Sequence, residues 1–211
     1  MGKTEVKAID RINLTIKDRE LMAILGASGS GKSTLMYLIG LLETPTAGQI
    51  WLDQTNVSSL NDRQLSKIRN QTIGFVFQQF NLLNKFTVLE NVLLPVKYAK
   101  TKLNFDPQKR ALELLRRFDI YDRRHFFPNK ISGGQQQRAA IARALIMNPK
   151  IILADEPTGN IDTKTGRLIL HLLQQLNQEF NVTVIIVTHD PSVAQITRRQ
   201  INIKDGRLVK H

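Results

Sequence analysis

Residues 26 to 33 read GASGSGKS, and eight residues with three glycines, small side chains and one lysine cannot fill a core. The chain enters this stretch from LMAIL, residues 21–25, a continuous apolar run that predicts a buried strand. It leaves through STLMYLIGLL, residues 33–42, whose apolar spacing predicts a helix. A strand, a glycine loop and a helix start, in that order, make a site for an anion. The glycines let successive N–H groups turn inward, and the helix N-terminus adds partial positive charge. Out of context the octapeptide is also a flexible Gly/Ser turn; the flanking strand and helix argue against that.

The stretch fits G-x-x-x-x-G-K-[ST], the Walker A pattern of nucleotide-binding loops. Gly26, Ala27, Ser28, Gly29, Ser30, Gly31, Lys32, Ser33 and Thr34 are therefore the expected nucleotide-binding set. Lys32 is expected to reach the β- and γ-phosphates, and the Ser33 hydroxyl to bind Mg²⁺. A second segment, IILADE at 151–156, buries four apolar residues and delivers Asp155 and Glu156 at the carboxyl end of a strand. Asp155 suits a Mg²⁺ ion held through water, and Glu156 suits polarising an attacking water. An acidic pair closing a strand is by itself often a helix cap or a surface turn. Behind a Walker A loop it reads as the second half of a magnesium–nucleotide site.

The remaining pattern is α/β. Alternating Ile12, Leu14 and Ile16 predict a half-buried strand closed by a turn at KDRE. QIWLD, TIGFVFQ, KIILADE and VTVIIVTH predict further strands. From Thr87 to Arg124 the spacing is helical, and so are QQQRAAIARALIM and residues 164–180. Apolar, β-branched strands alternating with helices predict a mostly parallel sheet covered on both faces. The helical run between strands predicts an inserted lobe. At 211 residues the whole suits one domain, with no internal repeat.

Composition narrows the chemistry. The chain has no cysteine, which excludes disulfides, thiolate zinc sites and thiol nucleophiles, and four scattered histidines offer little for a metal cage. The start, MGKTEVKAIDRINLTI, is polar and alternating, so no secretory signal is visible, and Val6 breaks the myristoylation pattern. No apolar run approaches the roughly 20 residues that span a bilayer. A cytosolic protein is expected. The net charge of +12 suits nucleic acid, an anionic membrane leaflet or an ordinary solvated surface, and the basic residues are spread rather than massed.

ISGGQQQRAAIARAL, residues 131–145, separates the kinds of nucleotidase. Ser132, Gly133 and Gly134 stand ahead of a helix, and alone they read more readily as an ordinary Ser N-cap with a glycine turn. With the other motifs the chain resembles the ABC-transporter ATPases over essentially its whole length. Ile131 replaces the usual leucine of their LSGGQ signature. The resemblance implies a P-loop NTPase core of mostly parallel sheet, a small antiparallel β subdomain, and a helical subdomain inserted at approximately 85–147. It implies that Gln78 in FVFQQFNLL contacts Mg²⁺ and couples to the transport partner. It further implies that Asp162 in GNID meets the opposite subunit and that His189 in IIVTHD contacts the γ-phosphate. Read alone, these three are an uninformative glutamine, a plain turn and a structural histidine. Ser132, Gly133, Gly134 and Gln135 would serve the other subunit's nucleotide in a head-to-tail homodimer, with ATP and Mg²⁺ as cofactors.

FVFQQFNLLNKFTVLENVLLP, PNKISGGQQQRAAIARAL and ADEPTGNID together resemble the MacB/LolD group and the related cell-division ATPase FtsE. The implied role is to drive an export, lipoprotein-release or antibiotic-resistance complex from the inner face of the cell membrane. The separate transmembrane permease would be contacted near residues 79–98. An FtsE-like regulatory ATPase that transports nothing is the alternative. A nucleic-acid-associated ATPase of the SMC or ABC-F kind would need a long coiled-coil insertion or a second cassette, so no nucleic-acid partner is expected. A P-loop kinase has no use for SGGQ. Two departures stand out. Arg19 occupies a position where relatives usually have a turn glycine, tolerable if that turn avoids positive φ. Relatives also carry an adenine-stacking aromatic that would fall about two residues before Met1, and no Tyr, Trp or Phe precedes Tyr37.

Overall fold

The computed structural model describes residues 7–209. Readings of the first six residues, and of an adenine-stacking group near them, lie outside the described residues. In chain order the elements are β1 (Leu21–Leu25), α1 (Lys32–Ile39), β2 (Trp51–Leu52), β3 (Thr55–Asn56), α2 (Asp62–Thr72), β4 (Ile73–Val76), α3 (Val88–Lys97) and α4 (Pro107–Arg117). They continue as α5 (Gly133–Leu145), β5 (Ile151–Asp155), α6 (Thr163–Glu179), β6 (Thr183–Thr188), α7 (Pro191–Ala194), β7 (Arg199–Lys204) and β8 (Arg207–Val209). Two short 3-10 turns, Tyr121–Arg123 and Pro128–Lys130, precede α5.

The main sheet runs β4-β5-β6-β1-β7-β8, parallel except for the final antiparallel hairpin. β2 and β3 form a separate small antiparallel ribbon. Strand alternation divides the core between the two faces. Leu21, Val184, Ile186, Ile152 and Ala154 pack with α3, α4, α5 and α6. Met22, Ile24, Ile185, Val187 and Leu153 pack with α1 and Leu65 of α2. β1 and β6, buried on both faces, are accordingly apolar throughout their length apart from terminal threonines.

Local chemistry sets the helix starts. Asn61 with Gln64, Thr87 with Glu90 and Ser132 with Gln135 form reciprocal capping boxes for α2, α3 and α5. Asp106 caps α4 ahead of Pro107, and Asp162 caps α6. The helix expected over 33–42 stops at Ile39, because Leu41 turns left-handed (φ 54°) and Leu42 N–H bonds back to the Tyr37 carbonyl.

Two expectations are corrected. Residues 11–16 form no strand: Ile12, Leu14 and Ile16 do point into the core alternately, but no ladder partner lies beside them among the described residues. The turn at Arg19 does not avoid positive φ; it stands at 59°. Its backbone is held there on both sides, the N–H donating to Thr183 Oγ1 (2.9 Å) and the carbonyl accepting from Asn177 Nδ2 (2.8 Å).

Candidate functional site

Because β5, β6 and β1 are adjacent and in register, with Asp155 opposite Val187 and Leu25 opposite Thr188, their carboxyl ends open side by side. Three separated sequence segments meet there: Gly26 onward, Asp155–Glu156, and Thr188–His189. This is the crevice in which open parallel sheets bind ligands.

The loop from Gly26 to Ser33 is shaped by close approach. A Cβ on Gly26 would lie 2.4 Å from the Ile203 carbonyl oxygen and 2.5 Å from Ser30 Oγ. Gly31 has φ 101°, caps α1, and would press a Cβ to 2.4 Å from the Ala8 carbonyl. Behind the loop, Gly206 N–H donates to the Ser30 carbonyl at 3.0 Å. Ala27, Ser28 and Gly29 form the exposed crest. Lys32 is buried at 9% exposure, and its ammonium donates to Ala27 O at 2.7 Å, folded back over the loop's own interior. Ser30 Oγ is buried without a partner. A cradle that side chains would fill, a buried ammonium and an orphan hydroxyl fit a phosphate chain.

Asp155 makes no side-chain hydrogen bond among the described residues. Burial first, then the neighbouring Glu156 carboxylate, push its carboxyl above the usual 3.8, and the Lys32 ammonium opposes them. Among the described residues no group of three or more His, Cys, Asp or Glu could hold a metal alone. A cation here would need the Ser33 hydroxyl, Asp155, water and phosphate oxygens, the ligand set a hard ion such as Mg²⁺ takes. Glu156 sits at φ 41°. Its carboxylate accepts from Thr188 Oγ1 and from His189 N–H, both at 2.9 Å, and meets His189 Nδ1. The His189 ring is otherwise exposed.

A second cluster lies on the flank. Gln78 follows β4, its carbonyl accepts from Asn160 Nδ2 (3.0 Å), and its amide fills the space where a Cβ of Gly159 would stand. Gly133 faces Ile161, Asn160 and Phe80, and Gly134 faces Thr165, so the SGGQ helix start and the GNID segment pack directly together. Ser132 N–H donates to Gln135 Oε1 and Gln135 N–H to Ser132 Oγ. Asp162 accepts from Thr165, which lowers its pKa while it caps α6. No hydrogen bond or ion pair among the described residues joins Ser132–Gln135 to the Gly26–Ser33 loop.

Five positioning groups have no role assigned by the motif readings, although each lies inside one of the motif-bearing segments: Thr188 on Glu156, Asn160 on Gln78, Gln137 on the Pro157 carbonyl, Arg143 on the Phe80 and Asn81 carbonyls, and fully buried Asn91. Asn91 ties Leu83, Phe86 and Thr87 through four hydrogen bonds. Only a polar residue at an otherwise apolar helix position hinted at Asn91; the other four bonds depend on packing between distant segments.

The ABC transporter family model matches residues 9–159. An uncharacterized ABC transporter ATP-binding protein of Methanocaldococcus jannaschii is 50% identical over 211 residues, 99% of this chain and 90% of that one. That archaeal cassette has been solved as a dimer in a post-hydrolysis state bound to ADP and Pi. The structure aligns with a TM-score of 0.90 at 47% identity, covering 100% of this chain and 92% of the other. The lipoprotein-releasing system ATP-binding protein LolD of Leptospira interrogans is 44% identical, across 99% of this chain and 86% of its own. The macrolide export ATP-binding/permease protein MacB of Bartonella henselae is 48% identical, with 99% of this chain matching 31% of that longer protein. With such identity from end to end, the chain belongs to the ABC transporter family, as an ATP-binding, ATP-hydrolysing subunit of the MacB/LolD group.

Proposed function

We propose that this subunit powers an export complex of the lipoprotein-release, peptide-export or antibiotic-resistance type. Two copies meet head to tail on a separate permease at the inner face of the cell membrane. The observation that carries the dimer is the division of the site residues. The phosphate loop and carboxylates form one cluster, while the Ser132 helix start, ready for an anion, stands apart from them, packed on the segment that runs through Asp162. A chain with two phosphate-binding helix starts uses both on one nucleotide if a second copy brings its own SGGQ segment. The dimeric archaeal cassette supports this.

In that arrangement the amides of Gly26 to Ser33 and the Lys32 ammonium cradle the phosphates, with Ser33 and Thr34 at the helix start. Mg²⁺ bound through Ser33, Gln78 and, by way of water, Asp155 would neutralise charge on the phosphate oxygens. Glu156 accepts a proton from the attacking water and orients it, and His189, beside it, faces the γ-phosphate. The partner copy contributes Ser132, Gly133, Gly134 and Gln135, and Asp162 meets the opposite copy. The permease docks near residues 79–98. Exposed Leu83, Phe126 and Phe127 support an apolar contact there, since the Phe126 carbonyl is hydrogen-bonded to Val88 at the start of α3.

Complementation tests the reading. Lys32→Ala should lose nucleotide affinity as a monomer, whereas Ser132→Arg should bind nucleotide normally but not turn over. Mixing the two rebuilds one intact site per heterodimer, so about a quarter of parental activity is expected for random pairing. A mixture of folded proteins with no activity would overturn the head-to-tail arrangement.

A further inference from the structure

Gln137 lies in the second turn of α5 and is fully buried. Its side-chain amide donates to the carbonyl oxygen of Pro157 at 2.7 Å, the residue immediately after Glu156. Its own oxygen, Oε1, accepts nothing and is sealed from solvent. The unsatisfied acceptor offsets much of what the bond to Pro157 contributes, and an apolar side chain of the same length would remove the orphan acceptor and the bond together. The amide is therefore badly placed as a stabilising element and well placed as a tether.

What it tethers is a strained turn. Glu156 adopts φ 41°, a conformation that persists only where the surroundings over-determine it. Glu156 N–H donates to Val187 O (2.9 Å), and Gly159 N–H to Glu156 O (3.0 Å). Pro157 has no N–H, so its carbonyl is the one backbone group by which that buried residue can be hydrogen-bonded. Thr188 and His189 hold the Glu156 carboxylate from β6. Gln137 holds the other side of the turn, from the helix whose first residues are the SGGQ signature.

We infer that Gln137 is a positioning residue for ATP hydrolysis: its buried amide fixes the Pro157 peptide, and through it the Glu156 carboxylate, relative to the signature helix. The inference rests on Glu156 as the water-orienting group. Ser132, at the α5 N-terminus, is only five residues from Gln137 along a continuous helix. Whatever engages the signature helix start thereby bears on the same chain's own Glu156 turn.

The test is Gln137→Met, which keeps length and removes both the donor and the orphan acceptor, measured beside Glu156→Gln. The expected result is a melting temperature within a few degrees of the parent, because loss of the orphan acceptor offsets the Pro157 carbonyl left unmet, with unchanged ATP affinity and KM and a kcat lowered about tenfold, since small misplacements of reacting groups are costly. Parental kcat in Gln137→Met with Glu156→Gln inactive would overturn the tether alone. A Gln137→Met protein that melts well below the parent, or whose KM rises while kcat holds, would overturn it too, because the amide would then serve stability or binding. Parental turnover in Glu156→Gln would instead remove the reading of Glu156 on which the tether rests.

Discussion

The guanidinium of Arg143 donates to the carbonyl oxygen of Phe80 at 2.8 Å, and also to that of Asn81. Both acceptors sit in the left-handed region, at φ 60° and 49°, two and three residues after Gln78. No carboxylate pairs with this guanidinium among the described residues, and burial pulls its pKa down from the usual arginine value to about 10. A cation in that position is retained for its geometry: two N–H groups in a fixed fork match two neighbouring carbonyls. Lysine keeps the charge but not the fork. Arg143→Lys should lower stability by about 1–2 kcal/mol, the cost of leaving one carbonyl unmet. It should also speed amide exchange at residues 78–83 selectively, read by hydrogen–deuterium exchange. Uniform exchange across the chain would reject the local role.

Arg19 offers a gain instead of a loss. Its φ of 59° carries a side-chain clash that glycine lacks, and its two tertiary hydrogen bonds use only backbone groups. Arg19→Gly should therefore keep both bonds and stabilise the protein by about 1 kcal/mol, or roughly 2–4 °C in melting temperature. Arg19→Val should do the reverse. Thermal denaturation of the pair decides.

Gly134 is set by a neighbour rather than by its own dihedrals. A Cβ there would stand 2.2 Å from Thr165 Cγ2, so the helix start and the segment after Asp162 could not both keep their places. Gly134→Ala gains helix propensity of up to about 1 kcal/mol, but overpacking costs about 1–3 kcal/mol, so a net loss is expected. Thr165→Ser removes the offending methyl. Chemical denaturation of both single mutants and the double should show the loss largely cancelled.

Asp155 sets activity against stability. Its folded pKa is raised above 3.8, so below that value the carboxyl is protonated in both folded and unfolded chains and no penalty arises. As pH rises through the folded pKa, the nucleotide-free protein loses stability. Asp155→Asn should thus melt higher than the parent at pH 7, with the difference shrinking toward pH 4, while its Mg-nucleotide affinity falls. A pH-independent difference would mean that shape, not charge, is responsible.

The strands that carry the site were legible because burial leaves a plain mark: LMAIL, IILAD and TVIIVT are apolar except at their ends. The phosphate loop was legible because glycine alone suits its close approaches at Gly26 and Gly31 and its positive φ at Gly29 and Gly31. Other features had readable signals that a motif-led reading passed over. Asn61 with Gln64 marks α2, and Asp205–Gly206 marks the β7–β8 hairpin, with both residues at positive φ. Residues 11–16 show the opposite failure, since alternation reports which side chains face inward and says nothing about whether a neighbouring strand exists. The bonds of Gln137, Arg143 and Asn160 span 20, 63 and 82 positions. No local periodicity encodes such pairs; they exist only once α5, the loop after β4 and the turn after β5 have packed.

β1 pairs with β6 on one side and β7 on the other, and Gly206 braces the loop that β1 feeds. Every one of these partners is translated after residue 182. On the ribosome, which delivers the chain from the N-terminus, the earliest-made functional element is therefore the last to be completed. Until the β7–β8 hairpin emerges, the nascent loop lacks β7 and its Gly206 backing, and ATP has no finished cradle to enter. Nucleotide binding by this subunit thus reports that the chain has been made at least through Gly206.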